Sequence, residues 1–195
     1  MISIILLAAG ESRRMGAENK LLLSFRGQPL IVYMVEHILK VESVEVIVVL
    51  GHEANKIRKA LEGKAVTFVE NTNYKKGMTT SIQAGVAASH QDSKGYLIGL
   101  SDLPLMESID YQKIVDAFLK VIDKNEAVIV VPTFEGRKGH PIVFSAQYRK
   151  TILTHQEMEG CKNIVKENAH QIFEVSMEND HGLRDMDTPE DYQQF

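Results

Sequence analysis

The chain of 195 residues has one cysteine, no tryptophan and no long hydrophobic run. Because Cys161 has no second cysteine to pair with, an internal disulfide and a cysteine-based zinc or iron–sulfur site are excluded. A reducing, cytoplasmic location is therefore expected. No apolar run approaches the roughly 20 residues that a membrane span requires, so we expect no membrane association. The apolar N-terminal run lacks a basic lead, which predicts a buried strand rather than a signal peptide.

The chain also lacks an excess of positive charge, since 22 basic residues stand against 26 acidic ones and the net charge is −4. Proteins that bind nucleic acid usually carry a basic face, so no nucleic-acid partner is expected. A nucleotide needs only a few local donors, and this charge balance permits that. The P-loop, Gly-x-Gly-x-x-Gly and Gly-x-Ser-x-Gly patterns are all absent, so none of the sites that they build is indicated.

Strand-like and helix-like patterns alternate along the chain. Runs of apolar and β-branched residues predict strands at residues 2–7, 44–50, 65–69, 96–100, 127–131, 141–144 and 172–175, of which 141–144 is expected to be antiparallel. Helical patterns occupy residues 30–40, 54–61, 78–89, 109–122, 147–153 and 162–168, and Thr188 can cap a short final helix. The alternation predicts an α/β fold, a Rossmann-like three-layer sandwich with a mostly parallel sheet and helices on both faces. We expect one domain over residues 1–195.

The helix expected at residues 109–122 is amphipathic. Its apolar face is predicted to contain Ile109, Ile114, Val115, Phe118, Leu119 and Ile122.

Three polar segments follow predicted strands, and ligands bind at the carboxyl ends of strands in an open parallel sheet. The first segment contains Gly10, Gly16, Arg13, Arg14 and Lys20. Glycines let backbone amides approach phosphate oxygens, while arginine and lysine supply positive charge. A surface loop with solvated charges explains the same composition.

A carboxylate follows the fourth predicted strand directly. Asp102 could hold Mg²⁺, which prefers carboxylates together with phosphate oxygens, or it could cap a turn. Asp185 and Asp187 are candidate second ligands, although a capped final helix explains much of their pattern.

The third polar segment, residues 71–81, places asparagines, a glycine and hydroxyls before a helix. A helix N-terminus suits an anion, a ribose or a base edge. The simpler interpretation is an ordinary helix cap at Thr79 or Thr80. His140, in a Gly-His-Pro turn, is more often a partly buried turn residue than a ligand.

Taken together, these segments resemble the motif blocks of molybdenum-cofactor-type nucleotidyltransferases. LAAGESRRMG at residues 7–16, followed by Lys20, is similar to that family's usual LAAGxSxRMGxxK signature. Four further blocks follow in the family's order. They are the second block, from Asn71 through Gly77 to Ser81, the Ser-Asp-Leu-Pro block at 101–104, residues 136–144 and residues 185–191. Within the family the chain most resembles the molybdenum cofactor cytidylyltransferases, because Ala8-Ala9-Gly10 is typical of those that use CTP.

The resemblance implies a Rossmann-like nucleotidyltransferase domain that uses Mg²⁺ to transfer CMP from CTP to the molybdopterin cofactor, with release of pyrophosphate. The catalytic residues that it implies are Arg14, Lys20 and Asp102, and the metal ligands are Asp102 and Asp187. The nucleotide-binding residues that it implies are Leu7, Ala8, Ala9, Gly10, Ser12, Arg13, Arg14, Met15, Gly16, Lys20, Asn71, Gly77 and Ser81. Four departures from the family's pattern are Asn19 for proline, Ser101 for glycine, Leu103 for methionine, and the Gly160-Cys161-Lys162 turn.

Two other functions fit the same residues. One is a cytidylyl- or uridylyltransferase that acts on a sugar phosphate or another small phosphate. The other is a non-catalytic maturation factor that binds the molybdenum cofactor and delivers it to a molybdoenzyme client. A transferase of the cofactor would be expected to have a molybdoenzyme client as well.

Overall fold

The computed structural model describes residues 1–15, 18–122 and 127–194. The strands are β1 Ile2–Ala8, β2 Ser24–Phe25, β3 Gln28–Pro29, β4 Val44–Leu50, β5 Thr67–Glu70, β6 Gly95–Leu100, β7 Ile129–Phe134, β8 Arg137–Lys138, β9 Ile142–Ser145 and β10 Ile172–Ser176. The helices are α1 Leu30–Ile38, α2 Ala54–Ala60, α3 Met78–Ala88, α4 Ser108–Ile122, α5 Arg149–Thr154, α6 Lys162–Glu167 and α7 Pro189–Tyr192.

The main sheet has the strand order β10-β7-β9-β6-β1-β4-β5, with β8 paired to β7. Neighbouring strands are parallel except where β9 or the short β8 takes part. The predicted mostly parallel sheet and its antiparallel strand near residues 141–144 are therefore confirmed. Because β1 lies between β4 and β6, its carboxyl end opens at the middle of one sheet edge.

Helices cover both faces of the sheet, as predicted. Side chains that alternate along β1 and β4 divide into two apolar clusters, since successive residues of a strand point to opposite faces. One cluster packs the sheet against α1, α2 and α4, and the other packs it against α3, α5 and α6. Among the described residues, no helix is both long and apolar enough to cross a membrane.

The long helix α4 departs from the predicted apolar face at its first turn. Ile109 is 73% exposed, so its assignment to the buried face is wrong. At 100° per residue it points about 200° away from Tyr111, which is fully buried together with Ile114 and Phe118. Asp110 turns inward instead, and its carboxylate accepts a hydrogen bond from the Glu107 amide at 3.0 Å.

The predicted cap of α3 is also wrong. Gly77, with φ of 112°, occupies the N-cap position, and no side chain caps this end of the helix. The Thr80 hydroxyl donates to the Gly77 carbonyl at 3.0 Å. The predicted cap of the final helix is confirmed, because Thr188 and Asp191 form a reciprocal capping box with Pro189 at the first position. The sequence patterns missed the small β2–β3 hairpin and β8, which are strands of two residues each.

Helix α3 lies unusually close to the sheet at Gly85. A Cβ atom built on Gly85 would lie 2.2 Å from the Ile5 Cγ2 atom and 3.0 Å from the Val49 Cγ2 atom. Glycine is required here because both neighbours belong to buried central strands that have no room to move.

We therefore expect Gly85→Ala to destabilise the protein by about 1–3 kcal/mol, the usual cost of overpacking a core. Gly99→Ala is the matched control, since its Cβ would meet its nearest neighbour at 3.5 Å, an ordinary contact. Urea denaturation monitored by circular dichroism measures both. Equal stability of the two variants would contradict this account of the α3 contact.

Candidate active site

A cleft of about 460 Å³ opens beyond the carboxyl ends of β1 and β6 and beside the N-terminus of α3. Residues from the first loop, the 71–81 segment and the ends of β6 and the chain line it. Ten of the predicted site residues line it, namely Leu7, Ala9, Gly10, Ser12, Arg14, Lys20, Gly77, Ser81, Asp102 and Asp187. Segments far apart in the sequence are thus brought to one edge of the sheet, as the strand pattern predicted.

Other predicted site residues lie around this cleft. Ala8 is buried in the core cluster on the α1 face of the sheet, and Asn71 lies behind Ser81. Met15 belongs to the short 3-10 helix of residues 13–15. Gly16 lies outside the described residues, as does the side chain of Arg13.

The described part of the first loop has a left-handed backbone conformation at Ser12. Ser12 has φ of 50°, and its hydroxyl oxygen accepts a hydrogen bond from the Lys20 amide at 3.3 Å. A Cβ atom built on Gly10 would meet nothing within 4 Å, so this position is open toward the cleft. The loop is consequently folded back on the start of the next segment, which carries Lys20.

The charged end of the cleft is organised around the Lys20 ammonium group. Its Nζ atom lies 2.7 Å from Asp102 Oδ2 and 2.8 Å from Asp187 Oδ1. Arg14 binds the second oxygen of Asp187 at 2.6 Å. Lys20 is 12% exposed, whereas Arg14 is 69% exposed and extends toward solvent.

These contacts favour the charged forms of Lys20 and Asp187. Burial alone would lower the pKa of Lys20, but the carboxylates of Asp102 and Asp187 outweigh it and the pKa lies above its usual value. Burial alone would raise the pKa of Asp187, but Lys20 and Arg14 hold it below its usual value. Two carboxylates and two cations therefore face one another at the cleft's polar end.

The C-terminal segment reaches this cluster because Met186 anchors it. Met186 is fully buried, and its amide donates to the Asp102 carbonyl at 2.8 Å. The Asp187 amide donates to Asp191 Oδ2 at 3.0 Å, which ties the segment to the final capping box. Of the two candidate second ligands, Asp187 shares the Lys20 ammonium with Asp102. Partial burial, then the charges of Asp187 and Asp102, raise the pKa of Asp185.

The donor set at Asp102 and Asp187 suits a hard divalent cation. Asp102 Oδ1 is buried and has no hydrogen-bond partner among the described residues. In that part of the chain, no cluster of three or more His, Cys, Asp or Glu side chains could hold a metal ion. Two carboxylates would thus supply only part of the coordination, and phosphate oxygens and water the rest, as Mg²⁺ sites commonly do.

The 71–81 segment forms the other wall of the cleft. The Asn71 amide group donates to the hydroxyls of Thr80 at 2.9 Å and Ser81 at 3.0 Å. Gly77 packs against the Met158 backbone, where a Cβ would lie 2.6 Å from the carbonyl oxygen. The first amides of α3 are therefore free of side-chain caps and lie beside the cleft, an arrangement that favours an anion or a polar ligand edge.

Two further residues, Ser101 and His140, lie near the cleft. The Ser101 hydroxyl donates to the Leu7 carbonyl oxygen at 2.5 Å, which joins the ends of β6 and β1. His140 is partly buried, as its turn predicted, and burial lowers its pKa despite the opposing charges of Asp102 and Asp185. The Ser-Asp-Leu-Pro pattern could have directed attention to Ser101, but no sequence signal gives the direction of its hydrogen bond.

The chain matches known proteins over most of its length. The family model for the MobA-like NTP transferase domain matches residues 4–172. The chain is 25% identical over 192 residues to the molybdenum cofactor cytidylyltransferase of Escherichia coli K12, covering 98% of this chain and 93% of that protein. It is 26% identical over 196 residues to the nicotine blue oxidoreductase of Paenarthrobacter nicotinovorans, covering 95% of this chain and 92% of that protein.

The fold has close structural neighbours. The crystal structure of Rv0371c from Mycobacterium tuberculosis H37Rv has a TM-score of 0.84 and 23% identity, covering 99% of this chain and 96% of that one. A structure of Rv0371c in complex with manganese has a TM-score of 0.75 and 22% identity, with the same coverage of both chains.

The cluster geometry predicts that Lys20→Met leaves two facing carboxylates without their shared cation. We expect the free energy of unfolding at pH 7 to fall by about 1–3 kcal/mol, less than for a fully buried pair, because the three groups remain 12–22% exposed. The depressed pKa of Asp187 contributes stability that is present at neutral pH and is lost as pH falls through the carboxyl range.

The deficit of Lys20→Met should therefore shrink as pH falls from 7 through the carboxyl range and Asp187 takes up a proton. Lys75→Met is the control, since Lys75 is an exposed lysine of the same cleft and should change stability by less than about 0.5 kcal/mol. Urea denaturation across this pH range tests both variants. A deficit that does not depend on pH would contradict the ion-pair account.

Proposed function

This chain belongs to the family of MobA-like NTP transferase domains, and from that premise we propose that it transfers CMP from CTP to a molybdopterin-type molybdenum cofactor and releases pyrophosphate. The observation that carries the proposal is the cluster of Arg14, Lys20, Asp102 and Asp187 at the polar end of the cleft. Such a cluster suits a triphosphate and a divalent cation, because both need opposite charges held at close range.

The proposed reaction is an in-line displacement at the α-phosphorus. A phosphate oxygen of the acceptor forms a bond to the α-phosphorus, and the bond from that phosphorus to the bridging oxygen of the β-phosphate breaks. The electron pair leaves with pyrophosphate, so no protein nucleophile is required. Positioning and charge stabilisation supply most of the catalysis in reactions of this type.

The residues of the cluster have separate roles in this proposal. Arg14, which is exposed at the cleft mouth, and the backbone amides from Gly10 onward bind the β- and γ-phosphates. Lys20 stabilises the charge that develops at the α-phosphate. Asp102 and Asp187 would hold Mg²⁺, which supplies charge neutralisation to the triphosphate when it is bound.

The neutral end of the cleft is proposed to bind the nucleoside. Ala9 and Ser81 border the base and ribose, with Ala8 beneath them in the core. The Ala8-Ala9-Gly10 pattern and the relative named as a molybdenum cofactor cytidylyltransferase support CTP as the donor. We extend the proposal to the product, a cytidylylated cofactor that a molybdoenzyme client would receive.

Substitution of the two candidate second metal ligands, Asp185 and Asp187, is expected to change kcat by different amounts. We expect Asp102→Asn and Asp187→Asn each to lower kcat at least about 100-fold, because each removes charge from the site of phosphoryl transfer. Asp185→Asn should lower kcat less than about ten-fold, since the hydrogen bonds of the Lys20 ammonium group go to Asp102 and Asp187. Steady-state pyrophosphate release at saturating CTP, Mg²⁺ and molybdopterin acceptor measures all three. A larger loss in Asp185→Asn than in Asp187→Asn would reverse the assignment.

The function itself is tested by pyrophosphate release with each of the four NTPs, with and without molybdopterin cofactor. We expect release with CTP that depends on the acceptor. Release only with a sugar phosphate would favour the alternative small-phosphate transferase, and cofactor binding without release would favour a maturation factor. Preference for GTP would overturn the choice of base. The relative named as an oxidoreductase makes one further control necessary, an assay for redox turnover with the same protein.

A further inference from the structure

The Lys20 ammonium group stands at the point where the two carboxylates of the cleft converge. Its Nζ atom donates to Asp102 Oδ2 at 2.7 Å and to Asp187 Oδ1 at 2.8 Å. An ammonium group has three N–H donors, and two of them are therefore directed at carboxylates. One cation thus already fills the space between the two candidate metal ligands.

The remaining oxygens of the pair are also engaged or enclosed. Asp187 Oδ2 lies 2.6 Å from the Arg14 guanidinium group, so both oxygens of Asp187 face a positive charge. Asp102 Oδ1 is buried, and within the described part of the chain no group forms a hydrogen bond with it. A divalent cation that enters from the cleft must therefore compete with Lys20 for these carboxylates, because cations held at the same oxygens repel each other.

Lys20 can change partners without any movement of the backbone. Its amide is fixed by the Ser12 hydroxyl oxygen at 3.3 Å, and the 3-10 helix of residues 20–22 that it begins is capped by Asn19. The ammonium group, by contrast, is a point charge at the end of a flexible stem. Lys20 also lines the cleft, so an anion bound there can receive its ammonium group.

A bare cation and a cation with a triphosphate differ in what they offer Lys20. The Lys20 side chain is 12% exposed, so displacement by a bare cation would leave an enclosed ammonium group without a counter-ion. Such a group costs much of its hydration and receives no attraction in return. A triphosphate supplies the missing anion at the moment when the cation takes the carboxylates. The exchange is therefore favourable only when both arrive.

We infer that Lys20 is an internal competitor of the divalent cation, which excludes the bare ion from Asp102 and Asp187 and admits it only with a triphosphate. The inference rests on the proposed function, in which the two aspartates hold Mg²⁺ and Lys20 acts at the α-phosphate. Lys20 then contacts carboxylates in the free protein and phosphate in the complex. Cation and triphosphate each strengthen the binding of the other, since coupling between two ligands is reciprocal.

The inference predicts that loss of Lys20 tightens the binding of a bare cation, although the same change should impair catalysis. The probe is Mn²⁺, whose unbound fraction is measured by electron paramagnetic resonance without nucleotide or acceptor, at about 0.15 M ionic strength. We expect Lys20→Met to lower the dissociation constant of Mn²⁺ at least about ten-fold relative to the wild type. Lys20→Ala, which also shortens the side chain, should have an effect of the same direction.

Arg14→Met is the matched control for charge, because it removes a cation beside Asp187 and leaves Lys20 in place. Arg14 is 69% exposed and screened by solvent, so this change should tighten Mn²⁺ less than about three-fold. Adding Asp187→Asn to Lys20→Met should abolish the gain, which locates the tightened site at the aspartate pair. Thermal unfolding with and without Mn²⁺ shows whether each variant folds, and Mn²⁺ should stabilise Lys20→Met more than the wild type.

Two outcomes separate this inference from the proposed function. A dissociation constant that both Lys20 variants leave unchanged, or that Arg14→Met lowers equally, would overturn the inference and leave the proposed transfer of CMP standing. Folded variants that bind no Mn²⁺ at all would refute the two aspartates as metal ligands, and the inference with them.

Discussion

The arrangement of the cleft depends on one ammonium group, that of Lys20, between the carboxylates of Asp102 and Asp187. Lys20 is 82 positions from Asp102 and 167 positions from Asp187 along the chain, yet both contacts are shorter than 3 Å. Without a cation, two carboxylates directed at one point would repel each other and lose water at the same time. Lys20 therefore lets the protein hold the pair together before any ligand is present. A divalent cation with a triphosphate would bring the same kind of charge compensation to the same place.

The surrounding structure makes this contact possible by fixing the backbone on each side. Asp102 follows the end of a central strand, so its position is set by the sheet. The Asp187 segment has no strand of its own to hold it, and burial of Met186 takes that role together with the capping box at Thr188. A buried methionine side chain stabilises such a segment by roughly 1.5–3 kcal/mol, more than one hydrogen bond does. The C-terminal helix thus matters to the site mainly because it positions one carboxylate.

The sequence was sufficient for the parts of the molecule that local patterns determine. Strand runs such as residues 44–50, the antiparallel strand and the Thr188 cap follow from apolar periodicity and capping chemistry. Ile109 was misplaced because, at 100° per residue, it lies about 200° from Tyr111 and so outside the face that α4 buries. The two-residue strands leave too short a pattern to detect. That Asp187 rather than Asp185 contacts Lys20 depends on tertiary structure, since both aspartates flank the same buried methionine.

The two ends of the cleft offer a ligand different kinds of contact, and this limits where selectivity can lie. The charged end would bind any nucleoside triphosphate, because all of them share the same phosphates. Discrimination among bases must therefore come from the neutral end, where a site built on hydrogen bonds rejects a ligand that leaves a buried polar group unpaired. There the direction of the Ser81 hydroxyl is imposed by a neighbouring side chain, because the Asn71 amide donates to its oxygen. A serine can otherwise rotate and serve as either donor or acceptor, so it discriminates only when a neighbour fixes its proton.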